Sequence, residues 1–245
     1  MKKVAAFFDV DGTIFRNSLL IEHFKLLISY KFLSYDAWYI SVEDKFEKWS
    51  KREGDYEEYL YALTDQYVEG LKKMNIEDVD YIAKRVIELK GDNVYKYTKD
   101  RIKYHKEQGH EIVIISGSPS FLVSKMAKKL GIDNYYATKY IVKDNKYTGE
   151  VIPMWDSVSK NKAVSEFIAK KDIDLSKSYA YGDTTGDFSM FKLVGYPIAL
   201  NPAKRLLNKI IADNEVSKKA KIIIERKDVI YNLKANQIEY NREEI

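Results

Sequence analysis

The chain contains no cysteine. That excludes disulfides, thiolate nucleophiles and cysteine-bound zinc, and it fits a cytoplasmic protein. Histidine is nearly as scarce. His23, His105 and His110 show no metal-ligand spacing and read as surface or packing residues. Long apolar runs are missing as well. No stretch approaches the roughly 18 apolar residues of a membrane span. The apolar start behind Lys2 and Lys3 ends at Asp9, too soon for a signal peptide. Nor does one sign of charge dominate. The 41 basic and 37 acidic side chains are interspersed and leave a formal net charge of +4. That describes a mixed, solvated surface, and no nucleic-acid partner is expected.

What is present is a core. Hydrophobic residues make up 45% of 245, which suits one large domain, or a core with an inserted second piece. Val4–Phe8 is a continuous apolar run, as in a strand buried on both faces of a parallel sheet. The next such run is "EIVIIS", Glu111–Ser116. From there strands and helices alternate. The extended "YYATKYIV" is followed by a hairpin turn in "KDNKYTG" and a short "EVIP" strand. A helix over about Asn161–Lys171 comes next, then the strands "SYAY", "YPIAL" and a final "AKIII", with helices between them. Alternation predicts an α/β fold with a doubly wound parallel sheet.

Residues 17–90 have a different texture, with helical periodicity and almost no strand signal. Leu20, Phe24, Leu27 and Ile28 share one face. A second helix begins near Ser34. A third, opened by Asp55-x-x-Glu58, carries a stripe of Tyr56, Leu60, Leu63, Tyr67 and Leu71. A fourth opens at Asn75. The organisation expected is an α/β core over 1–16 and 91–245, with a helical cap inserted over 17–90.

Four polar motifs lie at or near the carboxyl ends of the predicted strands, where open α/β sheets bind ligands. They are Asp9 and Asp11, Ser116-Gly117, Lys160, and Asp183 with Asp187 in "YGDTTGDF". Each alone reads as a turn, a cap or a solvated charge. Their order and common edge point to phosphate-ester chemistry. A carboxylate is ionised at neutral pH and can attack phosphorus directly. Mg²⁺ would relieve the repulsion between two anions, and Asp9 and Asp183 suit it as oxygen ligands. Residues two apart on an extended chain face the same side, so Asp11 can stand beside Asp9 as acid and base. Ser116 and Gly117 would hold phosphate oxygens, and Lys160 would supply fixed positive charge. Asp187 would orient Lys160 or metal-bound water. Lys162 competes with Lys160, but Lys160 places Ala163, Val164 and Phe167 on the buried face.

This order of motifs resembles the haloacid dehalogenase superfamily. The helical insert and the hairpin before the lysine are similar to its phosphoserine phosphatase branch, subclass IB. The resemblance implies Asp9 as nucleophile, Asp11 as acid/base, Ser116 and Lys160 as phosphate ligands, and Mg²⁺ on Asp9, the Asp11 carbonyl and Asp183. It implies hydrolysis of a small phosphorylated metabolite through an aspartyl phosphate, by a monomer or homodimer. Departures bear on the substrate. Ser18 stands where that branch carries glutamate, Leu63 where it carries a cap arginine, and Gly186 where it often carries asparagine. Arg52 lies near the cap position without matching its context. Free phosphoserine is therefore not expected as the preferred substrate. Ser18 and Arg52 are the specificity candidates. Two rival readings remain: a phosphotransferase or mutase with the same aspartyl phosphate, and a non-catalytic phosphate or phospholipid binder, for which "KKAKIIIERK" offers a basic surface.

Overall fold

The computed structural model describes residues 2–36, 42–72 and 74–238. Its sheet has eight strands: β1 (Ala5–Phe8), β2 (Glu111–Pro119), β3 (Asn134–Lys143), β4 (Lys146–Ile152), β5 (Tyr179–Gly182), β6 (Tyr196–Leu200), β7 (Lys221–Arg226) and β8 (Val229–Lys234). The order across the sheet is β4-β3-β2-β1-β5-β6-β7-β8. From β3 to β7 all neighbours run parallel, and the two edge strands are antiparallel hairpin partners. The expected doubly wound α/β fold is what forms.

Helices cover both faces, which explains the unbroken apolar runs. Phe8, Ile112, Ile114 and Tyr181 pack on one side with Leu122 and Met126. Phe7, Val113 and Ile115 pack on the other with Val164, Phe167 and Phe191. Neighbouring residues of one strand thus feed two separate cores. The turn between β3 and β4 holds Asp144 and Asn145 at φ 50° and 61°, the left-handed pair a tight hairpin requires.

A further strand, an earlier helix start and a longer β2, which runs on to Pro119, are among the differences from the sequence reading. The chain does not finish on β7, because β8 returns antiparallel along the sheet edge. Its mostly exposed residues and polar Asn232 gave no buried-strand signal. The helix expected from Asn161 starts at Ser157, where Asp156 accepts the N–H groups of Val158 and Ser159. Lys160 therefore sits inside the first turn.

Among the described residues, the helices Leu19–Ser29, Glu43–Ser50, Tyr56–Leu71, Ile76–Lys90 and Lys96–Glu107 lie between β1 and β2, the first four in the inserted segment. Part of the expected second helix, residues 37–41, lies outside the described residues. In Tyr56–Leu71 the apolar stripe splits. Leu63, Tyr67 and Leu71 turn inward with Tyr59, while Tyr56 and Leu60 are only half-buried. Phe24, Leu27, Val79 and Ile82 complete that inner cluster. The helix Ile76–Lys90 serves two clusters, since its Ala83, Val86 and Ile87 join the sheet's core.

Candidate active site

Asp9 follows β1 directly, and the strand ends bring distant residues to it. Lys160 Nζ donates to Asp9 Oδ1 and to Asp187 Oδ1, both at 2.6 Å. All three side chains are buried. Burial works against the lysine's charge, yet Asp187 and Asp9 together hold its pKa above the ordinary value. Lys162 points to solvent.

Asp187 has a second task. Its Oδ2 accepts the N–H groups of Asp183 (3.0 Å) and Thr184 (3.1 Å). Gly182 makes this close approach possible, since a Cβ there would lie 2.4 Å from Asp187 Cβ. With both oxygens of Asp187 engaged, the pair left facing each other is Asp9 and Asp183. Asp183 Oδ1 accepts from Thr13 Oγ1 at 3.0 Å, and Thr13 is anchored in turn by Thr98, which donates to its carbonyl at 2.9 Å. Gly12, at φ +76°, carries the turn, and a Cβ on it would meet Asp183 Oδ2 at 2.1 Å.

Burial pushes the Asp9 carboxyl up to about 8, helped by Asp187 and Asp11 and opposed by Lys160. Asp183 is raised well above its usual range by burial and by Asp9. Oxygen atoms of Asp9, Asp183 and Asp187 lie within 4.8 Å of one another. Among the described residues no salt bridge reaches Asp183. Uncompensated hard-oxygen charge at this depth fits a divalent cation such as Mg²⁺.

Asp11 stands apart from this group. Its Oδ1 accepts the Leu19 N–H at 2.7 Å, and its Oδ2 takes a short hydrogen bond from Ser118 Oγ. Burial raises its pKa, while Ser118 and Leu19 pull it down. Ser118 escaped the sequence reading although it follows Ser116 by two residues on an extended strand, the spacing that puts side chains on one side. Ser116 is fully buried and accepts the Ser118 N–H at 3.1 Å. The cavity wall at the end of β2 is formed by Gly117 and Ser118.

The cavity over Asp9, Asp11, Lys160 and Asp183 is small, about 120 Å³. Ser18 lines it and also caps the helix Leu19–Ser29, its Oγ accepting from Ile21 N–H. Arg52 does not line it. That side chain borders a separate outer cleft together with Arg16 and Lys25. Leu63 is in the inner cluster and does not face the site. The helix Tyr56–Leu71 presents Tyr56, Glu57, Leu60, Tyr61 and Thr64 instead.

Glu57 was not visible as a site residue in the sequence. Its carboxylate accepts the N–H of Thr185 at 3.2 Å and the Thr185 hydroxyl at 2.8 Å, 128 residues away. Trp155 is the other addition. A Cβ on Gly117 would lie 2.9 Å from Trp155 Cβ, and one on Gly186 would lie 2.1 Å from the Trp155 carbonyl oxygen. Glycine at 186 therefore has a steric reason: the Trp155 backbone occupies the space a side chain would need.

Comparison with known proteins gives the family. The family model for haloacid dehalogenase-like hydrolases matches residues 6–192. A phosphoserine phosphatase of Methanocaldococcus jannaschii is 30% identical over 232 residues, covering 93% of this chain and 95% of that protein. A probable phosphatase of Mycobacterium tuberculosis is 28% identical over 216 residues, covering 83% and 71%. A solved phosphoserine phosphatase with a phospho-aspartyl intermediate analogue superposes with a TM-score of 0.62 at 26% identity, covering 93% of this chain and 96% of that one. The chain belongs to the haloacid dehalogenase-like hydrolase family. Within it, this is an enzyme of the phosphatase type, phosphoserine phosphatase-like in sequence and fold.

Proposed function

We propose that the protein is a Mg²⁺-dependent phosphomonoesterase that hydrolyses a small phosphorylated metabolite through an aspartyl phosphate on Asp9. The observation that carries this reading is the buried chain Asp9–Lys160–Asp187, with both contacts at 2.6 Å, set beside Asp183. A structural ion pair needs only one carboxylate, and surplus buried carboxylates are destabilising unless they hold a ligand.

Asp9, whose ionised form is favoured by Lys160 and by the cation the site would hold, attacks phosphorus with a carboxylate oxygen. The bond from phosphorus to the alcohol oxygen breaks, and Asp11 gives that oxygen its proton. Asp11 then takes a proton from the water that cleaves the acyl phosphate, which restores Asp9 and releases phosphate. The raised pKa of Asp11 suits a carboxyl that must begin protonated. Ser116, Gly117 and Ser118 at the end of β2, with Lys160, hold phosphate oxygens, and Asp187 fixes Lys160. Asp9, Asp183 and the Asp11 carbonyl would hold Mg²⁺, which supplies positive charge against the phosphate. The core comprises 1–16 and 91–245, and 17–90 acts as the cap that closes over the substrate.

The test is release of inorganic phosphate from a panel of phosphomonoesters. Turnover should need Mg²⁺, stop on chelation and vanish in Asp9→Asn with the fold retained. Hydrolysis that survives in Asp9→Asn removes Asp9 as nucleophile.

A further inference from the structure

The leaving group can be read from the charges around it, on the basis of the phosphomonoesterase reading. We propose that the leaving alcohol is cationic: the substrate is the phosphate monoester of an amino alcohol, with its ammonium seated between Glu57 and the aromatic wall of the cavity.

The chain carries 41 lysines and arginines, yet among the described residues Lys160 is the only one lining the cavity over Asp9. Its ammonium is already shared between Asp9 and Asp187. Arg16, Lys25 and Arg52 border the outer cleft instead. Tyr56, Glu57 and Asp183 line both spaces. A carboxylate on the leaving group would thus find no guanidinium here, and it would face Glu57. An amino-acid head is poorly held for that reason.

A cation meets the opposite situation. Glu57 is 6% exposed and brings a carboxylate to the cavity from the first turn of the helix Tyr56–Leu71. Its two oxygens accept two hydrogen bonds from Thr185, and a carboxylate has about four acceptor positions, so capacity remains for an ammonium. Tyr56, Tyr61 and Trp155 line the same cavity, together with Leu20 and Leu60. Aromatic faces attract ammonium and quaternary ammonium groups, more strongly when the cation is desolvated. After transfer the amino alcohol departs with its ammonium unchanged, and only the ester oxygen gains a proton.

The experiment compares kcat/KM of the full chain with Mg²⁺ for phosphoethanolamine and phosphocholine, glycerol 3-phosphate, L-phosphoserine and p-nitrophenyl phosphate. The cationic esters should exceed glycerol 3-phosphate at least tenfold. Glu57→Gln, which keeps an acceptor for Thr185, should reduce that ratio about tenfold, with folding checked by circular dichroism. Equal kcat/KM for cationic and neutral esters, or an unchanged ratio in Glu57→Gln, overturns the cationic seat and leaves the phosphatase reading standing if p-nitrophenyl phosphate is cleaved. If no ester is cleaved, the phosphatase reading fails and binding decides the seat. Calorimetric titration of phosphocholine into the Asp9→Asn protein should then show affinity at least tenfold above glycerol 3-phosphate. Equal affinities refute it.

Discussion

Lys160 and Asp187 lie 2.6 Å apart, and both are almost wholly buried. The aspartate does more than neutralise the lysine, because its other oxygen fastens the N–H groups of Asp183 and Thr184. Asp187→Ala should therefore strip a buried charge of half its compensation and release two main-chain donors together. The expected loss is about 3–5 kcal/mol in urea unfolding, the range for breaking a buried pair. Turnover should fall with it. Asp187→Asn, which keeps size and one acceptor, should recover part of the stability but little of the activity.

Gly186→Ala should cost about 1–3 kcal/mol, the usual range for overpacking, because its Cβ would meet the Trp155 carbonyl oxygen at 2.1 Å. The denaturation midpoint should move with m unchanged. A variant as stable as the wild type would show that the Trp155 segment yields freely.

Acid should weaken the insert through His23. Its Nε2–H donates to the Val79 carbonyl at 3.1 Å, and its Nδ1 accepts from the Tyr67 hydroxyl at 2.8 Å, an arrangement suited to the neutral ring. Burial lowers its pKa to about 4. The unfolded chain, near 6.5, binds the proton first as pH falls. The stabilisation is whole above 6.5 and is lost progressively down to about 4. Between pH 7 and 5 this amounts to about 2 kcal/mol. The fall in unfolding free energy between pH 7 and 5 should be smaller in His23→Gln by that amount.

Mg²⁺ should stabilise the fold as well as support turnover. Asp9 and Asp183 repel each other in a buried setting, and a cation bound there favours the native state by mass action. At a hundredfold excess over Kd the gain is about 2.7 kcal/mol. Thermal unfolding of the wild type should shift upward with added Mg²⁺. Asp183→Asn should show little or no shift.

The strand-end acids were legible because an apolar run ending in Asp9-x-Asp11 states both burial and charge in one short segment. Lys160 followed from the buried partners Ala163, Val164 and Phe167 in its own helix. Less legible was whatever depends on two segments meeting. Glu57 looked like an ordinary acid in a first helical turn, and only the fold reveals Thr185 above it. Tyr56 and Leu60 carried the right period but border the cavity, because apolar spacing reports a helical stripe without saying which neighbour it meets. The edge strand β8 was missed because one-sided, exposed strands lack the doubly apolar signature of the inner ones. Arg52 was singled out by proximity in sequence, and chain proximity says nothing about which of two neighbouring clefts a side chain borders.

The hairpin of β3 and β4 reaches beyond the sheet. Ile76 N–H donates to the Asn145 carbonyl and Tyr147 N–H to the Met74 carbonyl, each at 3.1 Å. Tyr140 and Tyr147 lie inside the cluster of the helical insert. One flank of the insert is thus stitched to the hairpin, while the opposite flank touches the β5 loop through Glu57 and Thr185. On that second flank three carboxylates share the fastening, Glu57 on Thr185 and Asp55 with Glu58 on Arg205, so no single substitution there should detach the insert from the rim of the phosphate-transfer centre.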